Sequence, residues 1–431
     1  MKYNITPVDT IHGSVVCPPD KSISHRALLF NALAGGKSQI HNLLQSADVL
    51  STAQCLRQLG VKITASSTGI WNIDSTQGFT PSALPLNCGN SGTTMRILCG
   101  ILSTFPFESI LIGDESLSNR PMSRLIKPLS EMGVHISGRQ NKFAPITIRG
   151  HQSLPFFEYH LPIASAQVKT ALMLVGLRCN GAFVSGGGRS RDHTERILTS
   201  MGAQLETQDG DVRIFPGKLI NSDITIPGDF SSAAFLLTAA TLASPQGVTV
   251  RNVNLNPTRT GFLQVLKEMG ANIQINTTNQ VCGEPVGDIS VFQSHLHGVD
   301  VPPELVPTMI DEVPLIAVLG AVASGKTRVR GAEELRVKES DRISAILHNI
   351  SLLGICFDEY SDGFAIHGSQ SIGGSRKLSS FGDHRIAMAT SIAASFGSSP
   401  STIDNTTCID VSFPGFHQKV SNLGLKLQQV T

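Results

Sequence analysis

A short pattern recurs six times along this chain. Leu56-Arg57-Gln58-Leu59-Gly60-Val61-Lys62-Ile63 comes back as Leu129-Ser130-Glu131-Met132-Gly133-Val134-His135-Ile136, as Leu198-Thr199-Ser200-Met201-Gly202-Ala203-Gln204-Leu205 and as Leu266-Lys267-Glu268-Met269-Gly270-Ala271-Asn272-Ile273. Looser copies are Leu352-Leu353-Gly354-Ile355-Cys356-Phe357 and Leu423-Gly424-Leu425-Lys426-Leu427. The spacing is roughly 70 residues, longer than the common solenoid repeats. Each copy predicts the end of an amphipathic helix, a Gly at its stop and a strand leaving at once.

A second signal interleaves with the first. Asp20-Lys21-Ser22 opens an apolar run from Arg26 to Ala34, Asn90-Ser91-Gly92-Thr93-Thr94 opens Met95 to Leu102, and Ser165-Ala166-Gln167 opens Val168 to Leu177. Gly228-Asp229-Phe230-Ser231-Ser232 opens Ala233 to Leu242, Ile310-Asp311-Glu312 opens Val313 to Ala323, and Gly382-Asp383-His384 opens Arg385 to Ala394. Each predicts a polar cap before a helix that is apolar all round and therefore buried. The chain is expected to hold six similar subdomains, each with one buried helix, one amphipathic helix and strands between them.

At 431 residues the chain exceeds one core. Pro18-Pro19-Asp20-Lys21-Ser22 and Pro227-Gly228-Asp229-Phe230-Ser231 lie about half a chain apart, which predicts two homologous halves. The expected domains are 21–227, and 1–20 plus 228–431. The Tyr3–Val16 strand could complete the sixth unit, and the crossings near residues 20 and 228 would serve as a hinge for closure. A net charge of +1 with no broad basic stripe argues against nucleic-acid or membrane-surface partners. Apolar runs such as Leu315–Val318 are far too short to span a bilayer, and Met1–Pro7 has no signal-like apolar core, so a cytoplasmic location is expected. The eight Cys form no C-x-x-C pair, and His295-x-His297 lacks an accompanying carboxylate or thiol cluster, so neither a disulfide framework nor a metal is expected.

The chemistry-bearing residues crowd the helix starts. Lys21, Ser22 and Arg26 stand at one, where free N–H groups and the helix dipole favour an anion. Arg96, Arg120, Arg189, Arg191, Lys338, Arg342 and Arg385 also adjoin Gly-rich turns or helix starts. In a chain with almost no net charge, that distribution predicts a converging site for phosphates and carboxylates. Asp311 and Glu339 lie among these bases. A carboxylate in an anion site is a candidate for moving protons. Glu339 is three residues from Arg342 and would share its face if the segment is helical.

Five of these segments together resemble the 5-enolpyruvylshikimate-3-phosphate (EPSP) synthase family. They are Pro19-Asp20-Lys21-Ser22-Ile23-Ser24-His25-Arg26-Ala27, Gly89-Asn90-Ser91-Gly92-Thr93-Thr94-Met95-Arg96, Arg120-Pro121-Met122, Arg336-Val337-Lys338-Glu339-Ser340-Asp341-Arg342 and Asp383-His384-Arg385-Ile386-Ala387-Met388-Ala389, in family order. The resemblance implies an α/β fold of two similar domains. Each would be three βαβαββ units in an inside-out α/β barrel, with a two-strand hinge. It implies transfer of the enolpyruvyl group of phosphoenolpyruvate to the 5-hydroxyl of shikimate 3-phosphate, without metal or organic cofactor, by a monomer that glyphosate inhibits. Carried over by motif, Lys21, Ser22, Arg26, Ser165, Ala166, Gln167, Arg191, Asp311 and Lys338 would hold shikimate 3-phosphate. Lys21, Gly92, Arg120, Gln167, Glu339, Arg342, His384 and Arg385 would hold phosphoenolpyruvate, and Lys21, Asp311 and Glu339 would be catalytic. The runs Ser165-Ala166-Gln167-Val168-Lys169 and Arg191-Asp192-His193-Thr194-Glu195 resemble the glyphosate-tolerant branch, whereas Pro19 and Gly92 depart from it. Val411 stands before Ser412-Phe413-Pro414, where many relatives carry a Lys.

Two other readings predict different things. A UDP-N-acetylglucosamine enolpyruvyl transferase would carry Lys-Asn in place of Lys21-Ser22, and a Cys in the loop before Arg120. A non-catalytic scaffold for phosphorylated ligands would have no use for Asp311 and Glu339 among the bases.

Overall fold

The computed structural model describes residues 1–151, 153–368, 371–374 and 376–430. The chain divides into two compact units. One is Met1–Pro18, Pro227–Asn279 and Pro285–Thr431; the other is Pro19–Ile226 with Gln280–Glu284.

All six repeat glycines do what their sequence position demands. Gly60, Gly133, Gly202, Gly270, Gly354 and Gly424 have φ between +83° and +111°, a region that costs a side chain with a Cβ. At each, the next N–H reaches back to a carbonyl five residues earlier, as Val61 does to Leu56 at 3.1 Å and Ala203 to Leu198 at 2.9 Å. These closures satisfy carbonyls that the ending helix would otherwise leave open. They stop the helices Ala47–Gln58, Ser123–Glu131, His193–Ser200, Gly261–Glu268, Arg342–Leu352 and Phe416–Ser421, and a strand follows each.

The six apolar helices are Lys21–Ala34, Gly92–Leu102, Ala166–Arg178, Phe230–Ala243, Val313–Val322 and His384–Ser395. They are buried along most of their length. In one unit Phe230–Ala243, Val313–Val322 and His384–Ser395 pack on one another; in the other, Gly92–Leu102 packs on Lys21–Ala34 and Ala166–Arg178. Each unit has its own hydrophobic core, dominated by Leu, Ile, Val and Ala. Burying these side chains, at about 1.5–3 kcal/mol each, drives the arrangement.

Among the described residues six four-stranded sheets complete the units, each with a parallel pair at one edge and an antiparallel central pair. Leu86–Asn87, Glu108–Ile112, Phe143–Arg149 and His135–Arg139 form one such sheet in that spatial order. The N-terminal segment proves to be two strands. Lys2–Thr6 pairs antiparallel with Ser401–Ile403 and Lys426–Val430, filling the third position of the sixth sheet. Gly13–Val16 instead pairs parallel with Val248–Asn254, opening a different sheet. Ile224–Thr225, just before the chain re-enters the second half, opens the sheet of Lys37–His41 in the same way.

Candidate active site

Within the unit built on residues 19–226, the Asp20 carboxylate caps its helix by accepting from the Ile23 N–H at 2.8 Å. Lys21 follows, ion-paired to Asp48 at 2.5 Å. One turn on, Arg26 is 3% exposed. Its guanidinium donates to the Ser22 carbonyl at 3.1 Å, to Thr194 Oγ1 at 2.8 Å and to Thr170 Oγ1 at 3.1 Å. Burial pulls the Arg26 pKa down to about 10; Glu195 and Asp20 oppose that shift, and the Arg191 charge adds to it. Ser22, Arg26 and Arg191 thus belong to one electrostatic neighbourhood. Lys169, beside it, is buried against Glu195 at 2.6 Å.

A second cluster in the same unit links two helix starts. Ser91 caps Gly92–Leu102 by accepting from the Thr94 N–H at 3.1 Å, and Ser165 caps Ala166–Arg178 by accepting from Val168 at 3.5 Å. Arg96 donates to Gln167 Oε1 at 2.7 Å, and Gln167 Nε2 donates to Thr93 Oγ1 at 2.9 Å. Arg120 donates to Asn90 Oδ1 at 2.6 Å and to Ser116 Oγ at 3.3 Å. A Cβ added to Gly92 would stand 2.6 Å from Arg96 Nη1 and 3.7 Å from Arg120 Nη1. Gly92, Arg120, Ser165, Ala166 and Gln167 are therefore neighbours. With Arg96 they present first-turn N–H groups and two guanidinium groups, a combination suited to an anion.

In the other unit the residues converge on Arg342, which is 2% exposed. Its Nε donates to Asp383 at 2.8 Å, Nη1 to Asp311 at 3.0 Å and Nη2 to Glu339 at 2.5 Å. Arg385 also reaches Asp311, at 3.3 Å. His384 lies 4.0 Å from Asp383. Burial disfavours charge on Asp383, yet Arg342 holds its carboxyl below the usual range. Burial likewise disfavours charge on Arg342, but Asp383, Glu339 and Asp311 together raise its pKa. Lys338 is half-buried, and desolvation lowers its pKa despite the neighbouring Asp311.

Glu339 meets Arg342 for a reason other than the helical spacing expected. The helix begins only at Arg342, capped by Asp341 through Ser344 N–H, and Lys338 is extended. A loop, not a shared helix face, folds Glu339 back. Contacting residues not singled out from the sequence include Asp48, Thr170, Thr194 and Asp383 as a partner for Arg342. Asp383 was legible only as a cap, and it is one, accepting from the Arg385 N–H at 2.9 Å. Among the described residues no group of three or more His, Cys, Asp or Glu is placed to hold a metal, and all eight Cys are free thiols.

The family model for EPSP synthase (3-phosphoshikimate 1-carboxyvinyltransferase) matches residues 5–420, nearly the whole chain and all three of these clusters. The chain belongs to this family. The 3-phosphoshikimate 1-carboxyvinyltransferase of Syntrophomonas wolfei is 45% identical over 418 residues, covering 96% of this chain and 97% of that one. The enzyme of the same name from Bacillus subtilis is 42% identical over 426 residues, covering 97% and 99%. A solved EPSP synthase from Acinetobacter baumannii superposes with a TM-score of 0.89 at 38% identity, covering 99% of this chain and 100% of that one. The enolpyruvyl transferase NikO from Streptomyces tendae superposes with a TM-score of 0.82 at 15% identity, covering 100% and 99%, so the fold extends beyond close relatives. As an EPSP synthase family member the chain is a transferase of the shikimate pathway. None of its described helices is long and apolar enough to cross a membrane.

Proposed function

We propose that the chain joins phosphoenolpyruvate to the 5-hydroxyl of shikimate 3-phosphate by addition and elimination through a tetrahedral intermediate. The observation that carries this reading is Arg342, a buried cation holding the two candidate proton-transfer acids, Asp311 and Glu339, at 3.0 and 2.5 Å. Paired carboxylates among cations suit a reaction that moves protons while binding anions.

In this reading Asp311 orients the attacking hydroxyl and accepts its proton. Glu339 protonates the methylene carbon, and the hydroxyl oxygen bonds to the adjacent carbon to give a ketal. Expulsion of phosphate, with loss of a methyl proton, regenerates the double bond on the new ether. Lys21, whose side chain is one-fifth exposed beside Asp48, offsets charge and relays a proton. Shikimate 3-phosphate is assigned to Lys21, Ser22, Arg26, Ser165, Ala166, Gln167, Arg191, Asp311 and Lys338. Phosphoenolpyruvate is assigned to Lys21, Gly92, Arg120, Gln167, Glu339, Arg342, His384 and Arg385. No step calls for a metal or organic cofactor. Glyphosate is assigned to the phosphoenolpyruvate groups, and the working form to a cytoplasmic monomer.

Phosphate release measured with both substrates, in wild type and in Glu339→Gln, tests the reading. A kcat lowered about 10²–10⁴-fold by that substitution is expected. A change in KM alone would refute the acid–base assignment.

A further inference from the structure

The start of Val313–Val322 breaks a rule that the other five apolar helices keep. Asp20, Ser91, Ser165, Asp229 and Asp383 each turn a side chain onto an N–H of their own helix; Glu312, in the equivalent position, makes no such bond. Its carboxylate is fully buried and accepts a short hydrogen bond from the Ser231 hydroxyl. Ser231 Oγ in turn accepts from Arg259 Nη2 at 2.7 Å. Arg259, 1% exposed, also lies 3.7 Å from the Asp229 carboxylate. A buried carboxylate is tolerated only when it is hydrogen-bonded and near compensating charge; Ser231 supplies the hydrogen bond, and Arg259 stands on the far side of Ser231. Consecutive Cα atoms are about 3.8 Å apart, so whatever fixes Glu312 also fixes the backbone that carries Asp311. The Glu312 N–H is bonded to Met309 and its carbonyl to Leu315, which leaves that turn little freedom. On the other side, Asp311 faces Arg342 and Arg385. A helix-start acid has given up capping to become an internal anchor, at the one start whose preceding residue is a candidate base. Local rules are broken in this way mostly at functional sites.

We propose that Arg259, acting through Ser231 and Glu312, is a positioning residue that sets the Asp311 carboxylate for proton transfer. The proposal rests on the acid–base reading of Asp311 given above. Misplacing a reacting group by about 1 Å costs up to about 100-fold in rate, so the effect belongs in kcat. The substrate-binding cations are untouched, so KM for phosphoenolpyruvate should hold, while KM for shikimate 3-phosphate, which Asp311 also contacts in the reading above, should rise by less than kcat falls.

The test is a mutant cycle in the full-length enzyme, read as phosphate release and checked for folding by near-ultraviolet circular dichroism. Arg259→Gln is expected to lower kcat about 10- to 100-fold with KM for phosphoenolpyruvate nearly unchanged and KM for shikimate 3-phosphate raised by a smaller factor, and Arg259→Lys to recover most of the loss. In an Asp311→Asn background, Arg259→Gln should cost nothing further. If Arg259→Gln does not fold, Ser231→Ala decides, because it keeps every charge and cuts only the link. A kcat loss confined to the Asp311 background is then the expected result. An unchanged kcat, or the same factor lost with and without Asp311, overturns the positioning role. Full kcat in Asp311→Asn alone would overturn the acid–base reading, and the proposal with it.

Discussion

Arg342→Met should be the most destabilising single change in the candidate site, and the reason is Asp383. Of the three carboxylates on Arg342, Glu339 is 24% exposed and can turn to water, while Asp311 keeps Arg385 at 3.3 Å. Asp383 is fully buried and would keep only a backbone N–H at 2.9 Å and the Ser340 hydroxyl at 3.2 Å besides nearby His384. Removing one partner of a buried pair costs about 3–5 kcal/mol. For a unit of roughly 200 residues that lowers its melting temperature by about 6–20 °C. Differential scanning calorimetry reads this directly. A second change, Asp383→Asn, should recover much of the loss, because no buried charge is then stranded. The pH dependence has a definite sign. The Asp383 pKa is depressed in the folded state, so its pairing contributes stability above an unfolded value of about 3.9. That contribution is lost as pH falls through the folded value, and Arg342→Met should weaken this acid dependence. A shift under about 2 °C, or no recovery in the double variant, would refute the reasoning.

Further outcomes follow from the same geometry. Arg26→Ala should mainly raise KM for shikimate 3-phosphate, by roughly 1.5–3 kcal/mol for a charge-assisted contact, with kcat little changed in steady-state assays. Because burial lowers the Lys338 pKa, affinity for shikimate 3-phosphate should begin to weaken at a lower alkaline pH than an ordinary lysine would give, and Lys338→Arg should flatten that limb of a KM profile. A methyl at Gly92 would press on Arg96 Nη1 at 2.6 Å, the flexible end of a side chain that also holds Gln167, so Gly92→Ala should fold normally. It should weaken glyphosate more than phosphoenolpyruvate. Equal losses in inhibition constant and KM would rule out steric discrimination there.

Much of this fold could be read before any coordinates. A glycine after an amphipathic helix is a local instruction, and all six glycines adopt the positive φ it calls for. Capped apolar runs are equally local: the run read from Ala233 to Leu242 is the helix Phe230–Ala243. What could not be read depends on long-range packing. The segment Tyr3–Val16 looks like one strand, yet Lys2–Thr6 and Gly13–Val16 join different sheets. Asp48 meets Lys21 across 27 residues and Asp383 meets Arg342 across 41, and nothing in either local sequence announces the partner. Glu339 was paired with the right Arg for the wrong reason, since a loop and not a helix brings them together. The run Ile310-Asp311-Glu312 reads as a polar cap like the other five openings, yet the residue at the cap position, Glu312, makes no capping bond. Only the buried Ser231 and Arg259 show what engages it instead.

The most direct measurement is phosphate release from phosphoenolpyruvate by the purified chain, with shikimate 3-phosphate or UDP-N-acetylglucosamine as acceptor. The account predicts turnover that requires both phosphoenolpyruvate and shikimate 3-phosphate, and no turnover with the nucleotide sugar. Release with the nucleotide sugar alone, or with neither acceptor, would contradict it.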